Sequence, residues 1–212
     1  MTYELYVITD ERLSMGRTHG RIAAEAIRGG ADVIQLRDKG MSARDLLAVA
    51  REIVVYTRAA GRLLIVNDRF DIALASGANG VHLGQDDLPL AHVRRFAPPG
   101  FVIGISVGSV AEAVSAEEGG ADYVAVSPVF STPSKADAGP GVGTGVLRAI
   151  RDHVSLPVLA IGGIDRANIR EVIQAGADGI AVISAVVSSP DISAAAAELR
   201  SMVVRCKGER EG

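Results

Sequence analysis

Eight short β-branched runs recur along this chain, and longer stretches with apolar residues at helical spacing lie between them. The runs are Leu5–Thr9, Val33–Arg37, Leu63–Asn67, Gly80–Gly84, Val102–Ser106, Tyr123–Ser127, Val158–Gly162 and Gly179–Ile183. The helical stretches include Ser42–Ala60, Val110–Glu118 and Arg166–Ala175, and a last one, Ile192–Arg205, follows the eighth run. Strict alternation of strand and helix calls for a parallel sheet covered by helices. Eight such units in 212 residues predict one α/β domain, a (β/α)8 TIM barrel over 1–212 with a frayed polar tail at 207–212. A doubly wound open sheet is the competing arrangement.

A short repeat favours the barrel. Gly-Ala-Asp or Gly-Ala-Asn occurs at Gly30–Asp32, Gly77–Asn79, Gly120–Asp122 and Gly176–Asp178, before the second, fourth, sixth and eighth strands. Gly ends a helix in a left-handed conformation, and the acidic or amide residue makes a local turn. A device at every second strand points to a closed, pseudo-symmetric ring. One long Gly/Pro-rich loop, Phe130–Gly143, reads as a lid over the mouth or as a disordered surface loop.

Composition removes several function classes. A net charge of −3 with no basic block leaves no footprint for nucleic acid, and 4% aromatics without Trp leave no base-stacking platform. The apolar runs are short, so no membrane span is expected. One cysteine, Cys206, rules out an intrachain disulfide or a Cys-rich zinc site. With no signal peptide at the N-terminus, a reducing cytoplasm is expected. Small-molecule substrates are the expected partners, and a homo-oligomer is left open.

In this fold the active site lies at the C-terminal ends of the strands. Those ends carry Gln35-Leu36-Arg37-Asp38-Lys39, Asn67-Asp68, Gln85-Asp86-Asp87, Ser106, Thr132-Pro133-Ser134-Lys135, Gly162-Gly163 and Ile183-Ser184. Gln35, Arg37 and Lys39 alternate at period two and can share a face. Arg and Lys suit phosphoryl oxygens. Asp68 and Asp87, on adjacent strands, suit Mg²⁺, which takes one or two carboxylates plus substrate phosphates. Gly162-Gly163 and Ile183-Ser184 offer backbone N–H groups for a second anion, so two substrates are expected. The bland alternatives are helix caps at Asp68, Asp87 and Ser106, a solvated Lys135 and a satisfied core histidine at His82. His19, His92 and His153 give no signal.

Taken in order, Gln35–Lys39, Asn67-Asp68, Gly80–Asp87, Gly104–Ser106, Thr132-x-Ser134-Lys135 and Ile161–Ile164 resemble the thiamine-phosphate synthase family over nearly the whole chain. The family joins a hydroxymethylpyrimidine diphosphate to a thiazole phosphate, or its carboxylated precursor, and releases pyrophosphate. The resemblance implies that Gln35, Leu36, Arg37, Asp38, Lys39, Asn67, Ser106 and Lys135 hold the pyrimidine diphosphate. Arg37, Lys39, Ser106 and Lys135 would be the catalytic residues. Asp68 and Asp87 would bind one Mg²⁺, and Thr132, Pro133, Ser134, Gly163, Ile183 and Ser184 would hold the thiazole phosphate. Two positions depart from the family pattern. Ser127-Pro128 replaces its usual Gly-Pro, and Ser134 replaces Thr while keeping the hydroxyl.

The implied chemistry breaks the bond from the pyrimidine methylene to the diphosphate, and the neutral thiazole nitrogen attacks the carbon left behind. No proton leaves that nucleophile, which suits a mouth without an evident Cys or His catalyst. A thiazole tautomerase of the same superfamily would need a placed acid or base. Such relatives typically have His in the segment matching Ser127-Pro128, where this chain has none. A non-catalytic barrel that only binds a phosphorylated ligand is the third reading.

Overall fold

In the computed structural model, which describes residues 3–134 and 139–211, the aliphatic runs form eight parallel strands. They are β1 (Leu5–Ile8), β2 (Val33–Leu36), β3 (Leu63–Asn67), β4 (Gly80–Leu83), β5 (Val102–Val107), β6 (Tyr123–Val126), β7 (Val158–Ile161) and β8 (Gly179–Val182). Each pairs with the next, and β8 pairs back onto β1 through Leu5 opposite Ile180. That closure excludes the open sheet. Six of the eight strands are buried at every position, as a parallel sheet covered on both faces requires. The interior is filled down to a void of about 10 Å³.

Helices α1 (His19–Arg28), α2 (Ala43–Ala59), α3 (Phe70–Ser76), α4 (Leu90–Phe96), α5 (Val110–Glu118), α6 (Gly143–His153) and α7 (Ile169–Gln174) form the outer ring. A short α8 (Ser184–Val187) follows β8 and leads into α9 (Ile192–Glu211). Ser42 and Ser109 cap α2 and α5 by accepting the N–H groups of Asp45 and Glu112. The last helix outruns the expected end at Arg205 and continues through most of the tail expected to fray. Lys207 donates to the Asp178 carbonyl, and Arg210 donates to the Ile173 and Ala177 carbonyls. The polar tail is thus tied to the turn before β8.

The Gly-Ala-Asp repeat has a clear structural role at the bottom of the barrel. Its four glycines have φ between 74° and 107°, which a Cβ disfavours. The following Ala N–H groups reach back to helix carbonyls, as in Ala31 to Ala26 and Ala121 to Ala116. The acid or amide then grips the preceding strand twice. Asp32 donates its N–H to the Leu5 carbonyl while its carboxylate accepts the Leu5 N–H. Asn79 does the same with Leu64, Asp122 with Ile103, and Asp178 with Val158. Where the gripping side chain is charged, an arginine meets it: Arg62 at Asp32, Arg94 at Asp122 and Arg151 at Asp178.

Asp32 is the most buried of these acids, with its side chain 3% exposed. Asp32→Ala strands the Leu5 N–H and leaves Arg62 without its carboxylate. The expected loss of unfolding free energy is about 2–4 kcal/mol, to be measured by urea denaturation. A loss below about 0.5 kcal/mol, typical of a surface change, would show that the repeat shapes the turn without holding the strand.

Candidate active site

Two cavities open side by side at the C-terminal face. One, of about 240 Å³, is lined by Arg37, Lys39, Asn67, Asp68, Asp87 and Ser106 among others, with Gly139 from the long loop at its edge. The other, of about 280 Å³, is lined by Thr132, Pro133, Ser134, Gly163, Ile183 and Ser184, together with aliphatic Ile161, Ile164 and Val182. Ser127 and Pro128, just beyond β6, line both. The two cavities therefore meet at the segment where the sequence departs from the family pattern.

The Asp68–Asp87 pair dominates the polar cavity. Asp68 sits one residue past β3 with φ 60°, a left-handed conformation that Asp tolerates better than most residues. The carboxyl of Asp68 is pushed up to about 6, first by burial and then by its hydrogen bond with, and repulsion from, Asp87; Lys39 and Arg37 pull the other way. Crowding two carboxyls in this way disfavours the charge on Asp68, and a cation between them would relieve it. Neither side chain caps a helix: α3 and α4 start without a side-chain cap bond. Asp87 instead accepts the Gly84 N–H, which fixes the tight turn after β4. Among the described residues no cluster of three or more His, Cys, Asp or Glu forms a metal cage. A two-carboxylate set fits Mg²⁺, which completes its shell with substrate phosphates and water.

Ser106 is oriented by a chain of buried polar groups that crosses the barrel interior. Gln35 donates to the Tyr6 hydroxyl at 2.8 Å, and Tyr6 and Tyr123 share a hydrogen bond at 3.0 Å. His82 shares one at 2.9 Å with Tyr123 through Nδ1 and one at 2.9 Å with Ser106 through Nε2. Burial raises both phenols well above their ordinary range, so they stay neutral. With Gln35 donating at one end, one direction of donation satisfies every link: Tyr6 to Tyr123, Tyr123 to Nδ1, and Nε2–H to Ser106. The Ser106 O–H is then free to donate into the polar cavity. Gly104 makes room for this chain, because a Cβ there would lie 2.0 Å from Tyr123 Cζ.

The remaining candidate residues divide clearly. Gln35 is buried below the cavity, and Leu36 packs in the hydrophobic core, so its side chain lines neither cavity. Asp38 faces an adjoining groove with Asp10, Glu11 and Lys39. Lys135 lies outside the described residues. On the other side, Ser134 donates to the Ser184 hydroxyl at 3.2 Å, joining the long loop to the β8–α8 junction. Asn168 holds the glycine turn by donating to the Gly163 carbonyl and accepting the Asp165 N–H.

Sequence reasoning assigned no role to Tyr6 or Tyr123, placed Gln85 at a strand end without a partner, found no signal in His19, and favoured a satisfied core residue at His82. His82 is indeed buried and satisfied, yet it also lines the polar cavity. Gln85 donates to the Ser106 carbonyl. A usable signal was present: Tyr6, Gln35, His82 and Tyr123 are the polar or hydroxyl-bearing residues in the otherwise apolar strands β1, β2, β4 and β6.

Comparison with known proteins agrees with this geometry. A sequence model described as thiamine monophosphate synthase matches residues 5–186. The chain belongs to the thiamine monophosphate synthase family. It is 59% identical to the thiamine-phosphate synthase of Methanoculleus marisnigri over 99% of each chain. It is 51% identical to that of Chloroflexus aurantiacus, over 95% of this chain and 93% of that one. A solved thiamine phosphate pyrophosphorylase from Pyrococcus furiosus superposes with a TM-score of 0.89 at 43% identity, covering 96% of each chain. The likeness to a 3-hexulose-6-phosphate synthase, with a TM-score of 0.72 at 20% identity, concerns the fold alone. The activity is thiamine-phosphate synthesis, a transferase reaction, as the sequence resemblance implied. Among the described residues no helix is long and apolar enough to cross a membrane.

Proposed function

We propose that the polar cavity takes the pyrimidine diphosphate, the neighbouring cavity takes the thiazole phosphate, and the two react at the Ser127–Pro128 segment. The observation that carries this reading is the pairing of two cavities of different chemistry along one shared wall. Arg37, Lys39 and, from the long loop, Lys135 suit the diphosphate oxygens, while Asn67 and Ser106 supply polar contacts. Asp38 and Leu36 contribute through the loop backbone, because their side chains are engaged elsewhere. Thr132–Ser134, Gly163, Ile183 and Ser184 suit the thiazole phosphate, whose ring meets the aliphatic wall. Asp68 and Asp87 would hold one Mg²⁺, which would neutralise diphosphate charge as it builds on the leaving group.

The reaction so read is a substitution at the pyrimidine methylene carbon. Its C–O bond to the diphosphate breaks, and both electrons leave with pyrophosphate. The aminopyrimidine delocalises the resulting positive charge, and the thiazole nitrogen lone pair then forms the new C–N bond. The cations already in place stabilise the departing charge without rearrangement. No general base is needed, because the nucleophilic nitrogen carries no proton. A cytoplasmic setting suits a chain whose single cysteine, Cys206, is a buried free thiol.

The test is to supply synthetic 4-amino-2-methyl-5-(diphosphooxymethyl)pyrimidine and 4-methyl-5-(2-phosphooxyethyl)thiazole, with and without Mg²⁺, and to follow thiamine phosphate and pyrophosphate. Stoichiometric release of both products, only with Mg²⁺ present, is expected. Full turnover after exhaustive chelation would sink the metal assignment. Product formed with Mg²⁺ from the pyrimidine diphosphate but not from the monophosphate would support the leaving group.

A further inference from the structure

We propose that His19, the first residue of α1, is a positioning residue that sets the loop carrying Arg37 and Lys39 at the mouth. The His19 side chain is 1% exposed and joins Thr9, just past β1, to Asp38 within this loop. The ring shares a hydrogen bond at 2.7 Å with the Thr9 hydroxyl through Nδ1 and one at 3.2 Å with the Asp38 carboxylate through Nε2. Thr9 Oγ1 also accepts the Arg37 N–H at 3.4 Å. Asp38 accepts the Gly40 and Met41 N–H groups on its other oxygen, each at 2.8 Å.

One tautomer satisfies this whole set. Thr9 accepts from Arg37 and donates to Nδ1, and Nε2–H donates to Asp38. The loop from 37 to 41 is then tied at its start through Thr9 and at its end through Asp38, and the same imidazole joins both ties. Burial alone would raise the Asp38 carboxyl, yet the Gly40 amide, the His19 ring and the Met41 amide outweigh it and hold the group below its ordinary value. The carboxylate is therefore charged and committed to the loop. It is not offered to a diphosphate, which its charge would repel. The loop backbone that these ties fix is the one from which Arg37 and Lys39 reach the polar cavity. His19 itself is held at the base of the β1–α1 loop, where Glu11 accepts its backbone N–H.

This inference rests on the assignment of Arg37 and Lys39 to the pyrimidine diphosphate. His19→Leu removes both ring bonds. His19→Gln places an amide N–H where Nε2 stands and keeps the tie to Asp38. Thr9→Val cuts the tie from the other end. Each is compared with Lys39→Ala for the KM of both substrates, for kcat, and for the binding of inorganic pyrophosphate with Mg²⁺ by calorimetry. His19→Leu and Thr9→Val are expected to raise the pyrimidine diphosphate KM about tenfold and weaken pyrophosphate binding to a similar degree, through misplaced cations. The thiazole phosphate KM should stay within twofold, and His19→Gln should recover most of the loss. If Lys39→Ala raises the pyrimidine diphosphate KM and weakens pyrophosphate binding while the His19 and Thr9 variants change only thermal stability, the positioning role is overturned. Equal rises in both KM values would overturn it too. If Lys39→Ala instead alters only the thiazole phosphate KM, the underlying cavity assignment is what fails.

Discussion

Asp68→Asn and Asp87→Asn are each expected to lower kcat/KM by about 10³-fold, and the double variant is expected to lose little beyond either single. A pair that acts as one unit fails when either member is removed, and such effects are strongly non-additive. The magnitude follows from the electrostatic help a leaving diphosphate needs in a partly desolvated site. The structure sharpens the contrast with a purely structural role. Neither aspartate caps a helix, so no lost cap enters the comparison, and the structural bond at stake is the one Asp87 accepts from the Gly84 N–H. Asp68→Asn should leave the metal-free protein as stable as before or more so, because it removes a carboxyl crowded against its neighbour. In the unsubstituted protein, Mg²⁺ should raise the melting temperature, and either single variant should abolish that rise. Additive activity losses, or a Mg²⁺-induced rise that survives both substitutions, would reject a shared ion.

The barrel was legible because its signals are local. Alternation of aliphatic runs with helical spacing needs only a window of residues, and Gly-Ala-Asp announces each even strand within three positions. The second function of that triplet was not legible, since Asp32 grips Leu5 and Asp178 grips Val158 from 27 and 20 residues away. Strand ends are likewise easy to find, and among the described residues most of the polar ones found there line the two cavities. Leu36 is the instructive case. It lies inside a motif, but strand alternation turns Gln35 into the barrel and Leu36 outward into the core. His19 carried no sequence signal because what matters about it is a meeting of α1 with the β2–α2 loop. The end of α9 was misread for a similar reason. Lys207 and Arg210 look like a solvated tail until the carbonyls of the turn before β8 are seen beside them.

The interior hydrogen-bond chain makes the second large effect. His82→Asn keeps an amide near the Nδ1 position, facing Tyr123, and loses the bond to Ser106. His82→Gln does the reverse. If the chain serves to aim the Ser106 hydroxyl into the polar cavity, His82→Asn should cut kcat about 10²-fold, a loss of the size expected when a reacting group is misplaced by about 1 Å. His82→Gln should cost far less. Ser106→Ala should match His82→Asn, and combining the two should add little, because the same hydroxyl has been lost once already. A histidine that only fills and satisfies the core predicts another pattern. Both variants would then lose about 1–3 kcal/mol of unfolding free energy through an unpaired buried partner, and the folded fraction would keep its kcat. Chemical denaturation, kcat on the folded fraction, and the double variant with Ser106→Ala separate the two. The sequence reading favoured the satisfied core residue. The geometry makes His82 both, since its ring is buried against Tyr123 on one side and meets the cavity hydroxyl on the other. A ranking of Gln below Asn in kcat would mean that the tie to Tyr123, and with it the packing of the interior, matters more than the aim of Ser106.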